Sequence, residues 1–495
     1  MSNLRNISLF VTASAALYLQ AQPKTNIVFF MADDLGWRDL GCTGSTFYET
    51  PNLDKLAREG MIFNNAYAAC PVSSPTRAAF QTGRYPARIG VTDWIKGHQY
   101  EKHYMDKIKK SCPVLPAENL FNMPLSEITI AEALKTNGYK TAHIGKWHIS
   151  EDSTKFPQYQ GYDINIAGCG KGSPSSEGGG SYFTPYFNKY LSDGPSGEYL
   201  TDRLGDECVK IIQKFKDGPF FISFPFYQVH TPLLAKPEKE KYFKEKAHRL
   251  GLDTLKAFNN NPAWAAKQNI KSNYRERIVQ NNATYAAMIA SMDENVGKVV
   301  NELKRLGLYE NTIIIFTSDN GGVSTGEGSA TSNFPLKAGK GHMYEGGIRE
   351  PLIATWKNHI APGTKNETLV LTVDFFPTLL EITKTPKPKT DIIDGQSFLP
   401  SLKGKKQDRG AIYWHYPHYH PLGARPASAM RKGNFKLIEF LDNGDVELYN
   451  LQTDISETNN LASTNKKLAN KMLSELKRWR ASVQAKMPTK NVAFN

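Results

Sequence analysis

The chain has 495 residues, of which 40% are hydrophobic and 11% aromatic, which is enough to build a large core and excludes a disordered or fibrous protein. Its formal net charge of +13 is spread over scattered lysines, with short clusters at Lys107–Lys110 and Lys403–Lys406 and no long basic stripe. We interpret this charge as solvated surface and expect no nucleic-acid partner.

The first 21 residues are typical of a secretory signal peptide. Arg5 precedes an apolar stretch from Ile7 to Leu19, which is too short to span a bilayer but suits the core of such a peptide. Cleavage near Ala21 predicts an exported protein, periplasmic or secreted, and no other segment is apolar enough for a membrane span. A mildly hydrophobic N-terminal extension is the alternative.

Five cysteines are spread along the chain without metal-ligand spacing, at positions 42, 70, 112, 169 and 208. The odd count leaves at least one thiol. An oxidising compartment would permit one disulfide among the others.

The first predicted strand ends in two adjacent carboxylates. The run from Asn26 to Ala32 is mostly apolar, as in a strand buried on both faces, and Asp33 and Asp34 follow it directly. Two such carboxylates need a neutralising partner, and a hard cation with oxygen ligands, such as Ca²⁺, is the natural one. A solvated Asp-Asp turn is the alternative.

A turn that runs into a short helix comes next. Pro75 is tolerated in a first helical turn, residues 77–81 can be helical, and Gly83 supplies a left-handed end. This geometry directs Ser73 to a helix N-terminus, which attracts anions, and Arg77 adds a fixed cation. The segment predicts an oxygen nucleophile beside an anion site, with an ordinary capping serine as the alternative.

Helices and strands then alternate along the chain. Helical periodicity covers Thr129–Asn137, Thr201–Lys216 and roughly Arg275–Arg305, and strands fit Tyr139–Ile144 and Pro219–Phe226. This alternation predicts an α/β fold with a large, mainly parallel sheet sandwiched by helices.

A second buried strand repeats the acidic pattern. The run from Asn311 to Phe316 leads into Asp319, Asn320 and two glycines. Ligands gather at the carboxyl ends of strands in an open α/β sheet, so we expect this strand end to meet the one after residue 32. The two ends together would offer four oxygen-bearing side chains to one metal.

Basic side chains follow two strands and occupy one glycine-rich loop. Lys146 and His148 lie on the same side of an extended chain, because side chains alternate with a period of two, and His230 comes just past another strand. Lys340 is flanked by glycines, which suits close approach to an oxyanion. Structural roles for the first three, and a flexible surface loop for Lys340, are the alternatives.

Residues 407–495 predict a smaller α+β subdomain that follows a catalytic domain over residues 22–406. The stretch from Trp414 to His420 is rich in aromatic rings and imidazoles, which fits sugar stacking or a buried aromatic corner better than a transition-metal site. An antiparallel sheet with one helix is expected, from short strands at Ala411–Tyr416, Ser428–Met430, Phe435–Phe440 and Glu447–Asn450, a turn at Asp442–Asp445 and a helix from about Thr464 to Ala485.

Taken together, these motifs resemble the type I, formylglycine-dependent sulfatases of the alkaline phosphatase superfamily, over about residues 24–480. The most specific feature is Ser73-x-Pro75-x-Arg77, followed by Ala78-Ala79 and Thr82-Gly83-Arg84. Within that family, the chain looks like the arylsulfatase and N-acetylgalactosamine-sulfatase branch. The resemblance implies an alkaline phosphatase-like fold and hydrolysis of sulfate esters.

The resemblance also implies a role for each motif residue. Ca²⁺ would be held by Asp33, Asp34, Asp319 and Asn320, with the side chain of residue 73 completing the shell. The sulfate and the hydrated nucleophile would be bound and oriented by Arg77 and Lys146. His148 would take a proton from the second hydroxyl of the hydrate, while His230 and Lys340 would contact the sulfate and the bridging oxygen, with His230 as general acid.

Residue 73 departs from the commoner cysteine of the family. Members oxidise a Cys or a Ser at this position to formylglycine through a maturation enzyme, so Ser73 fits either a serine-type sulfatase or a Cys→Ser replacement that stops turnover. Two other functions stay open: a phosphatase or phosphodiesterase of the same superfamily, which would need two metals and several His ligands, and an inactive sulfoglycan-binding protein.

The expected substrate is a sulfated oligosaccharide from a glycosaminoglycan or an algal glycan. By resemblance to the branch, we expect exo-action on galactose or N-acetylgalactosamine sulfated at O4 or O6. Trp94, His98 and His418 are the candidate sugar contacts, and the segment from Gly168 to Tyr186 is expected to form a loop at the active-site rim.

Overall fold

The computed structural model describes residues 23–97, 101–176, 178–260, 262, 264, 274–389 and 392–494. The predicted signal peptide and the candidate His98 lie outside these ranges. Within the described ranges, no helix combines the length and the apolar character needed to cross a membrane. All five cysteines are described and none forms a disulfide, so the bridge that their number permitted is absent.

The strands are, in chain order, β1 (Asn26–Ala32), β2 (Met61–Tyr67), β3 (Val114–Leu115), β4 (Lys140–Ile144), β5 (Ile164–Ile166), β6 (Phe220–Pro225), β7 (Phe258–Asn260), β8 (Arg275–Arg277), β9 (Thr312–Ser318), β10 (Arg349–Trp356), β11 (Thr364–Asn366), β12 (Val370–Leu371), β13 (Ala411–Tyr416), β14 (Ala427–Lys432), β15 (Phe435–Phe440), β16 (Val446–Asn450) and β17 (Thr489–Lys490). The α-helices are α1 (Pro51–Glu59), α2 (Ser73–Thr82), α3 (Pro86–Ile89), α4 (Lys102–Ser111), α5 (Ile130–Lys135), α6 (Leu200–Phe215), α7 (Pro237–Arg249), α8 (Ala283–Arg305), α9 (Glu345–Ile348), α10 (Phe375–Thr383), α11 (Leu399–Leu402) and α12 (Lys466–Ser482).

The central sheet has the strand order β11-β2-β10-β9-β1-β6-β4-β5, with β12 also paired to β2. Its pairs are parallel except those that β10 makes with β2 and β9. The predicted mainly parallel sheet is therefore confirmed. One antiparallel strand, β10, lies inside it.

Helices cover both faces of the central sheet, as predicted. Successive residues of β1 point to opposite faces: Val28 and Phe30 pack in a core shared with α6 and α8. Ile27 and Phe29 pack in a second core shared with α2, α5 and α10. Because both faces are covered, β1 and β9 are fully buried, which explains their continuous apolar sequences.

One predicted helix was too long. The pattern from Arg275 suggested a single helix to Arg305, but residues 275–277 form β8, which pairs with β7. The helix begins only at Ala283, where the side chain of Asn282 accepts a hydrogen bond from the backbone N–H of Tyr285 and so caps the N-terminus.

The smaller antiparallel sheet has the order β13-β14-β15-β16, and α12 packs against it, as predicted. A shared apolar core joins this sheet to the region around β2, where Trp414 Nε1 donates to Ala68 O at 2.7 Å. A buried charge network crosses the same boundary: Lys436 Nζ lies 2.9 Å from both Glu345 Oε1 and Glu457 Oε1. Lys436 thus connects the smaller sheet to α9 by an ion pair.

Candidate active site

The two acidic strand ends meet, as the sequence predicted. Strands β1 and β9 are parallel neighbours with Ala32 opposite Ser318, so the residues that follow them emerge side by side. One ligand atom from each of Asp33, Asp34 and Asp319 lies within 4.8 Å of the others, and all three residues are buried. Asn320 joins them, with its Nδ2 donating to Asp34 Oδ1 at 2.8 Å.

Ser73 faces this cluster from the first turn of α2. Its Oγ lies 3.2 Å from both Asp33 Oδ1 and Asn320 Oδ1. The helix begins at Ser73 itself, since the capping position is the extended Val72, whose side chain caps nothing. Ser73 is thus not the N-cap, and the helix starts earlier than residue 77, while Gly83 ends it in the left-handed region (φ 66°) as expected.

Two cations bind the outer oxygens of the cluster. Lys146 Nζ lies 2.6 Å from Asp33 Oδ2, and Arg77 Nε donates to Asp319 Oδ2 at 2.8 Å. Both cations are buried beneath the site. Their shortest contacts are with the Oδ2 atoms, and Arg77 also lies 3.5 Å from Asp33 Oδ1, which faces Ser73 together with Asn320 Oδ1.

A third cation lies at the opposite edge. Lys340 Nζ is 2.9 Å from Asp34 Oδ2, 3.2 Å from His230 Nε2 and 3.3 Å from Glu327 Oε2. His230 Nδ1 lies 2.7 Å from Thr231 O, which assigns the ring proton to Nδ1 and makes Nε2 the acceptor from Lys340. Asp34, His230 and Glu327 also form a group with metal-ligand spacing, but the ammonium of Lys340 bonds to all three.

His148 completes the set around the pocket. Its Nε2 is hydrogen bonded to Ile95 O, whereas Nδ1 is buried without a hydrogen-bond partner among the described residues. The ring packs on the backbone of Gly172, where a Cβ would approach Nε2 to 2.7 Å, so a larger residue would displace the imidazole. The predicted basic residues 146, 148, 230 and 340 therefore converge on one site.

Burial and neighbouring charges perturb the ionisable groups of the site. Burial, reinforced by Asp319, raises the pKa of Asp33 despite Lys146 and Arg77. Burial also raises the pKa of Asp34, but Lys340 and His230 outweigh it, and the net pKa is low. Burial and Lys340 lower the pKa of His230 to about 4, so its ring is neutral near pH 7.

The imidazole of His148 is neutral as well. Burial is the main cause that lowers the pKa of His148 well below its usual value, and the neighbouring Lys146 ammonium adds to it. The pKa of Lys340 is raised instead: burial lowers it, but Asp34 and Glu327 outweigh that effect. The site therefore contains fixed cations beside neutral imidazoles.

A cavity of 330 Å³ opens above Ser73. Trp94, a candidate sugar contact, lines it, as do several residues of the expected rim loop, Gly170, Gly172, Ser173 and Ser176. His418 does not: it is 1% exposed and its Nε2 lies 2.9 Å from Thr92 Oγ1, so that sugar-contact prediction is wrong. The ring-rich stretch is chiefly a buried corner.

Sequence reasoning missed four ionisable residues that line the pocket: Lys96, Glu101, Glu327 and His420. His420 lines it and comes from the same ring-rich stretch, but its neighbour by two positions was chosen instead. Glu327 lines it too, from a loop in which glycines flank it on both sides. The flanking glycines were the available signal for Glu327, because they also mark the Lys340 loop.

An oxygen side chain set against buried carboxylates, which three cations contact, is the arrangement expected of a hydrolase that acts on an anionic ester. A family model described as Sulfatase matches residues 25–385, and one described as N-sulphoglucosamine sulphohydrolase, C-terminal, matches residues 338–482. The chain belongs to the sulfatase family and is a sulfuric ester hydrolase.

Relatives and solved structures agree with this assignment. A protein named Sulfatase from Formosa agariphila is 32% identical, over 94% of this chain and 90% of its own. N-acetylgalactosamine-6-sulfatase of Mus musculus is 31% identical, over 83% of this chain and 72% of its own. The structure of Ps i-CgsB in complex with k-i-k-neocarrahexaose is similar at a TM-score of 0.72 and 30% identity, covering 92% of both chains.

Proposed function

We propose that the protein is an exported, exo-acting glycan sulfatase that removes the O4 or O6 sulfate of galactose or N-acetylgalactosamine. The observation that carries the proposal is the contact of Ser73 Oγ with both Asp33 and Asn320 at the floor of the pocket. The named activity of the mouse relative and the saccharide bound by Ps i-CgsB support a sugar substrate. The apolar stretch at residues 7–19 supports export to the periplasm or medium.

The first acidic cluster fits a calcium ion. Its donors are carboxylate and amide oxygens, which hard cations prefer, and Asp33 Oδ1 and Asn320 Oδ1 converge on Ser73 Oγ. The competing group of Asp34, His230 and Glu327 fits less well, because the single ammonium of Lys340 contacts all three of its members, whereas it contacts only Asp34 of the first cluster. Bound by Asp33, Asp34, Asp319 and Asn320, with residue 73, calcium would supply positive charge that offsets the charge developing on the ester.

Oxidation of Ser73 to formylglycine by a maturation enzyme would supply the attacking oxygen as an aldehyde hydrate. Around it, Arg77 and Lys146 form the positive floor that binds the sulfate group, and both are held rigid by ion pairs to the carboxylates. His148 is suited to accept a proton from residue 73 at Nδ1, since its Nε2 is hydrogen bonded to Ile95 O.

The proton for the departing alcohol comes from the pair of Lys340 and His230. The neutral His230 ring carries its proton on Nδ1, toward Thr231 O, so His230 alone has no proton on Nε2 to donate. Lys340 donates to that Nε2 at 3.2 Å and can supply the proton directly to the departing alcohol. The general-acid role predicted for His230 thus passes to Lys340, which the neutral ring positions.

The two remaining functions differ in what the site must contain. A phosphatase with two metals needs several His ligands, and the buried cluster in the described chain consists of Asp33, Asp34 and Asp319, with His230 bonded to Lys340 instead. A sulfoglycan-binding protein needs no oxidation of Ser73. The state of residue 73 therefore separates an enzyme from a binding protein.

The test joins peptide mass to substrate choice. Protein matured in a host with a serine-accepting maturation enzyme should show the residue-73 peptide lighter by about two mass units, the two hydrogens that oxidation removes. It should release sulfate from N-acetylgalactosamine or galactose 4- or 6-sulfate, and Ser73→Ala should not. Hydrolysis of glucosamine sulfates alone would refute the galactose-type substrate, and an unmodified residue 73 in natively matured protein would refute the enzyme.

A further inference from the structure

Glu327 is a pocket carboxylate that the mechanism above does not use. It lies on the loop between β9 and α9, lines the cavity above Ser73 and has a side chain that is 34% exposed. Its Oε2 is 3.3 Å from Lys340 Nζ, the cation at the bridging-oxygen side of the proposed site. The carboxylate therefore borders the place where the sugar meets the sulfate.

The loop holds Glu327 in a fixed and unusual backbone conformation. Four successive residues have positive φ, and Glu327 itself, with φ 41°, adopts a conformation that costs a non-glycine residue about 1 kcal/mol or more. Hydrogen bonds fasten the loop: Thr331 N donates to Val323 O at 3.1 Å, and Thr325 Oγ1 donates to Leu422 O at 3.2 Å. The side chain of Glu327 thus reaches the pocket from a loop that these hydrogen bonds hold in place.

A carboxylate at this position weakens the binding of an anionic substrate unless the sugar donates a hydrogen bond to it. Its charge weakens the attraction of Lys340 for sulfate, and the repulsion grows if the same sugar carries a second anion close to the first. A hydroxyl in that place would instead donate to the carboxylate, and hydrogen bonds to charged acceptors are the stronger kind.

We infer that Glu327 is a specificity-determining residue that accepts a hydrogen bond from a free sugar hydroxyl beside the scissile sulfate and rejects a second sulfate or a carboxylate there. The inference rests on the proposed function and deepens it. The substrate class becomes a monosulfated neutral sugar with a free hydroxyl next to the ester. A densely sulfated unit would first have to lose its neighbouring sulfate to another sulfatase.

The test measures binding, so it does not depend on maturation. Wild type with unmodified Ser73, Glu327→Gln and the control Glu238→Gln, which removes one charge from the exposed surface of α7, are titrated with three saccharides by calorimetry. These are N-acetylgalactosamine 4-sulfate, 6-sulfate and 4,6-disulfate. Circular dichroism and thermal midpoints confirm that each variant is folded.

We expect wild type and Glu238→Gln to bind the better monosulfate at least about tenfold more tightly than the disulfate, the scale of one hydrogen bond to a charged group. Glu327→Gln should bring that ratio close to one. An unchanged ratio in Glu327→Gln, or tighter binding of the disulfate by wild type, would overturn the inference while leaving the proposed function standing. Failure of wild type to bind any of the three would refute N-acetylgalactosamine sulfates as the substrate, and the inference with them.

Discussion

Lys436→Met should destabilise the protein far more than Lys432→Met, although the two lysines lie on adjacent strands. Lys436 is fully buried between Glu345 and Glu457, at 2.9 Å from each. Lys432 is 53% exposed and pairs with Glu475 at 3.0 Å. Methionine keeps much of the length of lysine and removes its charge, so the comparison isolates the buried ammonium.

The structure sets the size of the expected effect. Arg349 still pairs with Glu345 at 2.7 Å after the change, but the Glu457 carboxylate loses the ammonium that pairs with it and stays buried. Leaving a buried charge without its partner costs about 3–5 kcal/mol, whereas an exposed pair contributes about 0–1 kcal/mol. Burial, partly offset by Lys436, already raises the pKa of Glu457 to about 7, so protonation would relieve the variant at low pH.

Denaturant titrations of wild type and both variants at pH 5.5 and pH 8 measure these differences. The Lys436→Met penalty should exceed that of Lys432→Met at both pH values and be larger at pH 8, because Glu457 must then be ionised without its cation. Equal penalties for the two lysines would refute the reasoning. A Lys436→Met penalty that shrinks as the pH rises would refute the role given to Glu457.

Three further predictions concern the pocket and its surroundings. Lys340→Met should slow hydrolysis of a sugar sulfate much more than hydrolysis of 4-nitrophenyl sulfate, because the 4-nitrophenol leaving group needs little proton assistance. The control Lys337→Met, on the same loop, should change both hydrolysis rates by the same factor. Calcium should raise the thermal midpoint of wild type and Glu327→Gln but not of Asp319→Asn, and a shift retained by Asp319→Asn would place the ion elsewhere. Burial raises the pKa of Asp93 to about 7, so its contribution to stability is lost as the pH rises through 7. The thermal midpoint of Asp93→Asn should therefore rise relative to that of wild type between pH 5 and pH 8. A difference between the two midpoints that stays constant with pH would contradict that pKa.

Much of the fold followed from local patterns. Strands β1 and β9 are buried on both faces and have continuous apolar sequences. It could therefore be predicted that the ends of the two strands lie side by side and bring Asp33 close to Asp319. The start of α8 could not, because Arg275–Arg277 continues an acceptable helical pattern and forms a strand only through pairing with β7. Long-range pairing overrides local propensity there.

The pocket walls were harder to predict than its floor. Motif residues such as Lys146 and Lys340 lie at strand ends or in glycine-rich loops, where sequence carries a signal. His418 and His420 have the same residue type two positions apart and are both buried, and only tertiary packing places the second against the cavity. The flanking glycines are the only local signal for Glu327, and its role depends on the position of its loop relative to Lys340.

The central claim, that this is a sulfatase whose activity depends on oxidised Ser73, is tested most directly by measuring modification and turnover in the same samples. Preparations that differ in co-expression of a maturation enzyme are assayed for the fraction of residue-73 peptide lighter by about two mass units, and for sulfate released per molecule from the hydrolysed saccharide. The release rate should rise in proportion to the modified fraction and vanish where Ser73 is intact. Sustained sulfate release from protein in which every residue 73 is still serine would contradict it.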